Sequence, residues 1–183
     1  MIPDTAEKLS IPGMLSPVPD GLAAINGLYG NPDQNGDGVL DPNFVREQLV
    51  VIPLPYPMRL SWNPGTVIQR VQVHRLVAIS LTAALEEILE IVGLSYLQAR
   101  EWDRWGGCGQ WRAMRGYPAR STHSWWIAMD VCPDCGRFGH REDIATYPAV
   151  IRDAFRRRGW DWGGAWPEKY SADAMHFQAC TGY

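Results

Sequence analysis

The sequence predicts an α+β fold: a small antiparallel sheet packed against helices, in one domain spanning residues 1–183. Three observations predict it. Apolar residues recur at Val73, Leu76, Val77, Ala84, Ile88 and Ile91, near the period of a helix that runs from Thr66 to Val92 and is ended by Gly93. A second helical pattern covers Pro148 to Arg158, apolar at Val150, Ile151, Ala154 and Phe155. From Trp105-Gly-Gly-Cys108-Gly109 onward the chain otherwise reads as short strands broken by turns.

Residues 1–32 are rich in proline and glycine, which predicts irregular structure with one short helix near Gly21–Gly27. Next comes Asp33-Gln-Asn35-Gly-Asp37-Gly38-Val39-Leu-Asp41. Oxygen side chains at Asp33, Asn35, Asp37 and Asp41, with Gly38 at the sharp turn, fit the start of an EF-hand calcium loop. The place of the bidentate glutamate is taken by Phe44. A plain polar turn uses the same residue types, so both readings stand. Val50 to Pro57 is apolar but carries three prolines, Pro53, Pro55 and Pro57, and reads as an edge strand or extended segment. His74 falls inside the first long helix, where packing or a hydrogen bond is its expected role. The Arg156-Arg157-Arg158 triplet sits where cations complement a helix C-terminus.

Composition bounds the function. With 46% hydrophobic and 20% charged residues this is an ordinary globular composition. A net charge of −3 gives no general attraction to nucleic acid. No apolar run approaches the roughly 20 residues that cross a bilayer. The first residues lack the charged and apolar regions of a secretion signal. The expectation is a monomer with no signal peptide and no membrane span, made in the cytoplasm. Nine tryptophans, eight of them clustered from Trp102 to Trp166, suit a substrate cleft as well as a core.

The chemistry concentrates in two stretches, Ser121-Thr-His123-Ser-Trp-Trp126-Ile-Ala-Met-Asp130 and Asp173-Ala-Met-His176-Phe-Gln. Two histidines and one carboxylate leave one corner of a zinc tetrahedron open, as in catalytic zinc sites, and Asp173 is then free to handle a proton. His123 and Asp130 are seven residues apart. On an unbroken strand they would face opposite ways and lie roughly 23 Å apart, so the chain must bend between them. Asp173 and His176 meet only in a tight turn. Scattered His and Asp are more often surface or core residues with no metal, so spacing alone leaves the site open.

The ordered pattern Ser-x-His-x6-Asp followed by Asp-x-x-His-Phe resembles the zinc D-alanyl-D-alanine carboxypeptidase and L-alanyl-D-glutamate peptidase family, which includes bacteriophage cell-wall lysins. Gln110-Trp111-Arg112-Ala-Met-Arg115-Gly116 is similar to the family's arginine-bearing run before Ser-x-His. Gly159-Trp-Asp-Trp162-Gly-Gly-Ala-Trp166 is similar to the run ahead of its last histidine. The resemblance covers about residues 70–180, and 20–70 more loosely. One departure is Trp126, where the family usually has glycine. The resemblance implies a zinc peptidase that cuts bacterial peptidoglycan stem peptides, with zinc on His123, Asp130 and His176. It implies Asp173 as acid–base and Arg112, with Arg115 second, at the oxyanion. Ser121 would orient the substrate or the ligand loop, or serve as a turn hydroxyl, and Trp126 would lie at the bend or the pocket wall. A non-catalytic zinc module of the same fold is the alternative. A serine or cysteine hydrolase is not favoured, because no hydroxyl or thiol is paired with a histidine.

Cys132-Pro-Asp-Cys135 has the spacing of half a four-cysteine zinc site. Cys108, Cys132 and Cys180 stand at even offsets from Arg112, Asp130 and His176, which on strands would bring them to one sheet face. The four therefore predict either a second, structural zinc or a disulfide pair, with free thiols as the remaining case. A reducing cytosol favours metal.

Overall fold

The computed structural model describes residues 11–168 and 170–183; the expectations for residues 1–10 lie outside them. Two short helices come first, α1 (Gly21–Tyr29) and α2 (Pro42–Gln48), on either side of the Asp33–Asp41 loop. A long hairpin follows, β1 (Leu49–Leu60) and β2 (Asn63–His74), then α3 (Ala78–Val92) and α4 (Leu94–Ala99). The rest comprises β3 (Arg104–Gly107), β4 (Ala128–Val131), α5 (Ala149–Arg156), β5 (Asp161–Trp162) and β6 (His176–Gln178), joined by single turns of 3-10 helix. One six-stranded sheet results, in the order β2-β1-β3-β4-β6-β5. The fold is α+β, as predicted, but the sheet is mixed. β1 and β3 run parallel at Arg59↔Arg104 and Leu60↔Trp105, and every other pair is antiparallel. The connection between these two strands contains β2, α3 and α4, the long crossover that parallel pairing needs.

One expectation about the elements is corrected. The first long helix does not begin at Thr66: residues up to His74 belong to β2, and the helix starts at Ala78. Thr66, Val67, Ile68, Val71 and Val73 are β-branched, and such side chains fit a pleated strand better than a helix. Val73 and Val77 happen to share helical spacing across the junction, which extended the apparent period backward. The proline-rich segment, Val50 to Pro57, pairs on one side only, with β2, and so is locally the edge segment expected. β1 lies between β2 and β3. Its ladder to β2 is interrupted between Pro53 and Met58, so Pro55 and Pro57 fall in the bulge, where no ladder donor is required. Its pairs to β3 begin only at Arg59.

The core joins the helices to the sheet. Val77, Leu81, Leu85 and Ile88 of the α3 region and Ile151 and Phe155 of α5 are fully buried. Phe155 stacks on Phe177 of β6 at 4.4 Å. The arginine triplet closes α5 as expected: Arg158 Nη1 donates to the Ala154 carbonyl at 2.9 Å, and Arg157 and Arg158 both pair with Glu87 of α3. Among the described residues no helix is long and apolar enough to cross a membrane.

The cysteines do not form a second metal site. Cys132 and Cys135 are joined in a disulfide, while Cys108 and Cys180 are buried free thiols. The even-offset argument fails because each cysteine lies beyond the end of its strand. Cys132, just after β4, has a φ of 48°, which leaves the strand geometry on which face parity depends.

His74 is a core histidine, as expected, but at the end of a strand. It is fully buried, its Nε2 donates to the Tyr29 carbonyl at 2.9 Å, and its Nδ1 accepts from the Leu76 N–H at 3.2 Å. Both nitrogens are committed only in the neutral ring, and burial pulls its pKa from 6.5 down to about 4. Between those values the unfolded chain binds the extra proton, so stability rises with pH. We expect His74 to contribute about 3 kcal/mol above pH ~6.5 that is lost progressively toward pH ~4. Urea denaturation across that range should show a steeper loss for wild type than for His74→Gln; parallel curves would refute the assignment.

Candidate metal centre

The bend required between His123 and Asp130 is built by a 3-10 turn over Thr122–Trp125. Ser121 caps it, its hydroxyl accepting from the His123 N–H at 3.4 Å. Trp126 then turns the chain with a φ of 57°, a left-handed conformation that glycine adopts most easily. This explains why the departure from glycine falls at the bend. β4 follows at once and carries Asp130 directly opposite His176 on β6. A side chain at Gly106 would lie 2.7 Å from the Asp130 Cβ, so β3 can approach only as glycine there.

The Asp173–His176 turn is the tight one expected, closed by the His176 N–H on the Asp173 carbonyl at 3.1 Å. The tryptophan- and glycine-rich run from Gly159 to Trp166 supports it. A Cβ at Gly163 would lie 2.3 Å from the Asp173 carbonyl, and Trp162 Nε1 donates to the Ala174 carbonyl at 2.7 Å.

His123, Asp130 and His176 offer three ligand atoms within 4.8 Å of one another, a group that could hold a metal ion. His123 Nε2 and His176 Nδ1 are 3.2 Å apart; Asp130 Oδ1 is 3.2 Å from the latter and 3.4 Å from the former. Donors about 2.0–2.1 Å from a tetrahedral zinc are separated by roughly 3.3–3.4 Å, so the triangle already has the size of one tetrahedral face. The tautomers agree with this. His123 Nδ1 is held by the Cys108 carbonyl, and His176 Nε2 by Gln178 Oε1 at 3.1 Å. Each ring therefore commits its N–H outward and turns a lone pair inward, the arrangement typical of ligating histidines. Three acceptors converging with no donor between them ask for a positive charge. The same demand shows in the titration. Burial would raise the Asp130 carboxyl, but the two histidines beside it hold it well below the usual carboxylate range. Burial would lower His176, and the Asp130 carboxylate raises it instead.

Gln178 was not singled out in the sequence, although it lies two residues from His176 and so on the same face of β6. It is buried, accepts from Thr122 Oγ1 at 3.1 Å and donates to Asp161 Oδ2 at 3.2 Å, which also accepts from Trp166 Nε1. Ser124 is a second omission: its hydroxyl bonds both Gln110 and Arg112 backbones and ties that segment to the ligand turn.

Asp173 is pushed up to about 6 by burial, with Asp130 adding to the rise and His176, Arg115 and Arg112 opposing it. Its Oδ1 is buried and has no hydrogen-bond partner among the described residues. Arg112 lines a cleft of about 450 Å³ together with His123 and Asp130. Arg115 is exposed and stacks over Phe138 at 4.6 Å. The indole of Trp126 covers Gly109.

In the Asp33–Asp41 loop each polar side chain serves the backbone. Asp33 accepts from Gly38 N–H at 3.0 Å, Asn35 from Asp37 at 3.2 Å, Asp37 from Val39 at 2.8 Å and Asp41 from Asn43 at 2.7 Å. Among the described residues its carboxylates do not gather into a metal-holding group.

For the metal we expect His123→Ala and His176→Ala each to abolish tight zinc binding. Gln178→Ala should weaken it about 10–100-fold, the usual cost of losing a group that orients a ligand. Competition against a zinc chelator measures all three, and unchanged affinity in Gln178→Ala would refute its role.

No curated protein and no solved structure gives a significant match to the chain. A family model described as D-alanyl-D-alanine carboxypeptidase matches residues 115–179. The matched stretch includes His123, Asp130, Asp173 and His176, and leaves Arg112 and the Asp33–Asp41 loop outside it. The stretch that carries the metal-holding triangle and the adjoining aspartate is thus similar to the D-alanyl-D-alanine carboxypeptidase family.

Proposed function

We propose that this protein is a zinc peptidase hydrolysing peptide bonds in bacterial peptidoglycan stem peptides. The observation that carries the reading is the triangle of His123 Nε2, Asp130 Oδ1 and His176 Nδ1 with Asp173 beside it, whose Oδ1 has no partner among the described residues. Those three atoms would hold the zinc, which supplies Lewis acidity toward the scissile carbonyl and the attacking water. Asp173 accepts the proton of that water and returns it to the leaving amine. A pKa near 6 suits both directions close to neutral pH. Arg112, in the same cleft, is placed to stabilise the oxyanion, with Arg115 second. Ser121 acts through the ligand turn that it caps. Trp126, over Gly109, would form part of the pocket wall against which the substrate binds.

A role in wall lysis follows as part of the same proposal: a bacteriophage endolysin, made in the cytoplasm and working on the wall as a monomer. A metal-holding module without hydrolysis is the competing reading, but it gives no reason for a buried carboxyl oxygen left without a partner. We also propose that the loop at Asp33, Asn35, Asp37 and Asp41 takes calcium. Its side-chain pattern and the buried, partnerless Asp33 Oδ1 support this.

Asp173→Ala should keep its zinc and its fold and lose roughly 10²–10⁴-fold in rate, the range of a positioned acid–base group. Release of peptide fragments from purified peptidoglycan, with zinc measured on the same sample, provides the check. Equal rates would remove the catalytic role, and an inactive wild type would favour the non-hydrolytic module.

Calcium at about 100 times its Kd should stabilise the fold by about 2.7 kcal/mol. Asp37→Ala should abolish the effect in thermal melts, and a wild type indifferent to calcium would leave the loop a plain turn.

A further inference from the structure

The cleft has a second wall that the hydrolytic chemistry does not use. β3 ends at Gly107, and beyond it the N–H of Cys108 and both polar groups of the Gly109 backbone pair with no backbone group among the described residues. Above this run stands Trp62, in the turn of the β1–β2 hairpin, 65% exposed and lining the same cleft as Arg112 and His123. The turn is not loose. The Ser61 N–H donates to the Trp105 carbonyl at 3.0 Å, and Leu60 pairs with both Trp105 and Asn63. A tryptophan held firmly by its backbone but left out of the core adds nothing to folding through burial. Its indole is available to cover a ligand.

We propose that Trp62 and the Cys108–Gly109 backbone form a ledge that binds the substrate's peptide in extended form, a proposal that rests on the peptidase reading above. Unpaired main-chain groups at a strand end recognise another main chain by adding it as a strand. Arg112, beyond the ledge, sets where the scissile carbonyl lies. Trp62 closes over the peptide from the hairpin side. Trp62 is therefore a positioning and specificity residue: its contact is with the peptide away from the reacting bond, and it is the same in ground and transition states. Contacts of that kind lower KM and leave kcat alone.

The test is Trp62→Ala in the zinc-loaded protein, with a soluble stem peptide as substrate. KM should rise about tenfold, as for a truncated aromatic anchor, with kcat and Tm unchanged, and Trp62→Phe should recover most of the loss. Equilibrium binding of the same peptide, measured by calorimetry in the Asp173→Ala background, should weaken by the same factor. A ligand with one backbone N–H replaced by an ester oxygen should bind more weakly at the residue that faces Gly109. Unchanged KM and Kd in Trp62→Ala would overturn the proposal while leaving the peptidase intact. A Trp62 effect on glycan strands but none on the peptide would also overturn it. Peptide that binds through Trp62 but is never cut would uphold the ledge and refute the peptidase, and absence of both binding and cleavage would refute both.

Discussion

The antiparallel register of β4 on β6 is the constraint on which the site depends. It sets Asp130 opposite His176, and with them Met129 opposite Phe177. Because side chains alternate along a strand, a slip of one residue would carry Asp130 to the other face and bring Met129 to the metal-holding position. The core and the site therefore enforce one another. Phe177 is fully buried against Phe155 of α5, and only the register that buries it lets His176 and Gln178 face His123. Stability of the sheet and competence of the site are two readings of the same pairing.

Much of the site was legible in the sequence, because metal ligation leaves marks that spacing preserves. Two His and an Asp had to meet, the chain had to bend after His123, and Asp173 had to turn into His176; the structure has all three features. Where the reading failed, the information lay outside local pattern. The β-branched run before His74 carries strand propensity, but its valines also fit a helical period, and only the partner strand β1 decides between them. The cysteines were placed by strand parity, which ceases to apply once a chain leaves its strand. Gln178 and Ser124 were missed for another reason. A residue that holds a ligand in place needs only one hydrogen bond in the right direction, and no spacing rule announces it.

The fold is a scaffold of close approaches more than of long elements. β4, β5 and β6 are two to four residues each. They are held by contacts that tolerate no added atom, such as the Asp173 backbone over Gly163 and the Asp130 side chain over Gly106. The motif of tryptophans and glycines around residue 162 is thus a support for the Asp173–His176 turn, with Trp162 donating its indole N–H to the Ala174 carbonyl and Trp166 to Asp161.

The two histidines present different nitrogens to the centre, Nε2 from His123 and Nδ1 from His176. Nδ1 is bonded to the ring carbon nearest the backbone, and Nε2 lies at the far end of the ring. An ion held there would be bound by a ring nitrogen near the main chain of β6 and by one farther from the main chain of the 121–126 turn. Displacement of the near anchor would then shift the ion directly, whereas ring rotation at His123 would offset part of a displacement of its backbone. The sheet side of the centre carries His176 and Gln178 in strict alternation, and the turn side carries the left-handed bend at Trp126.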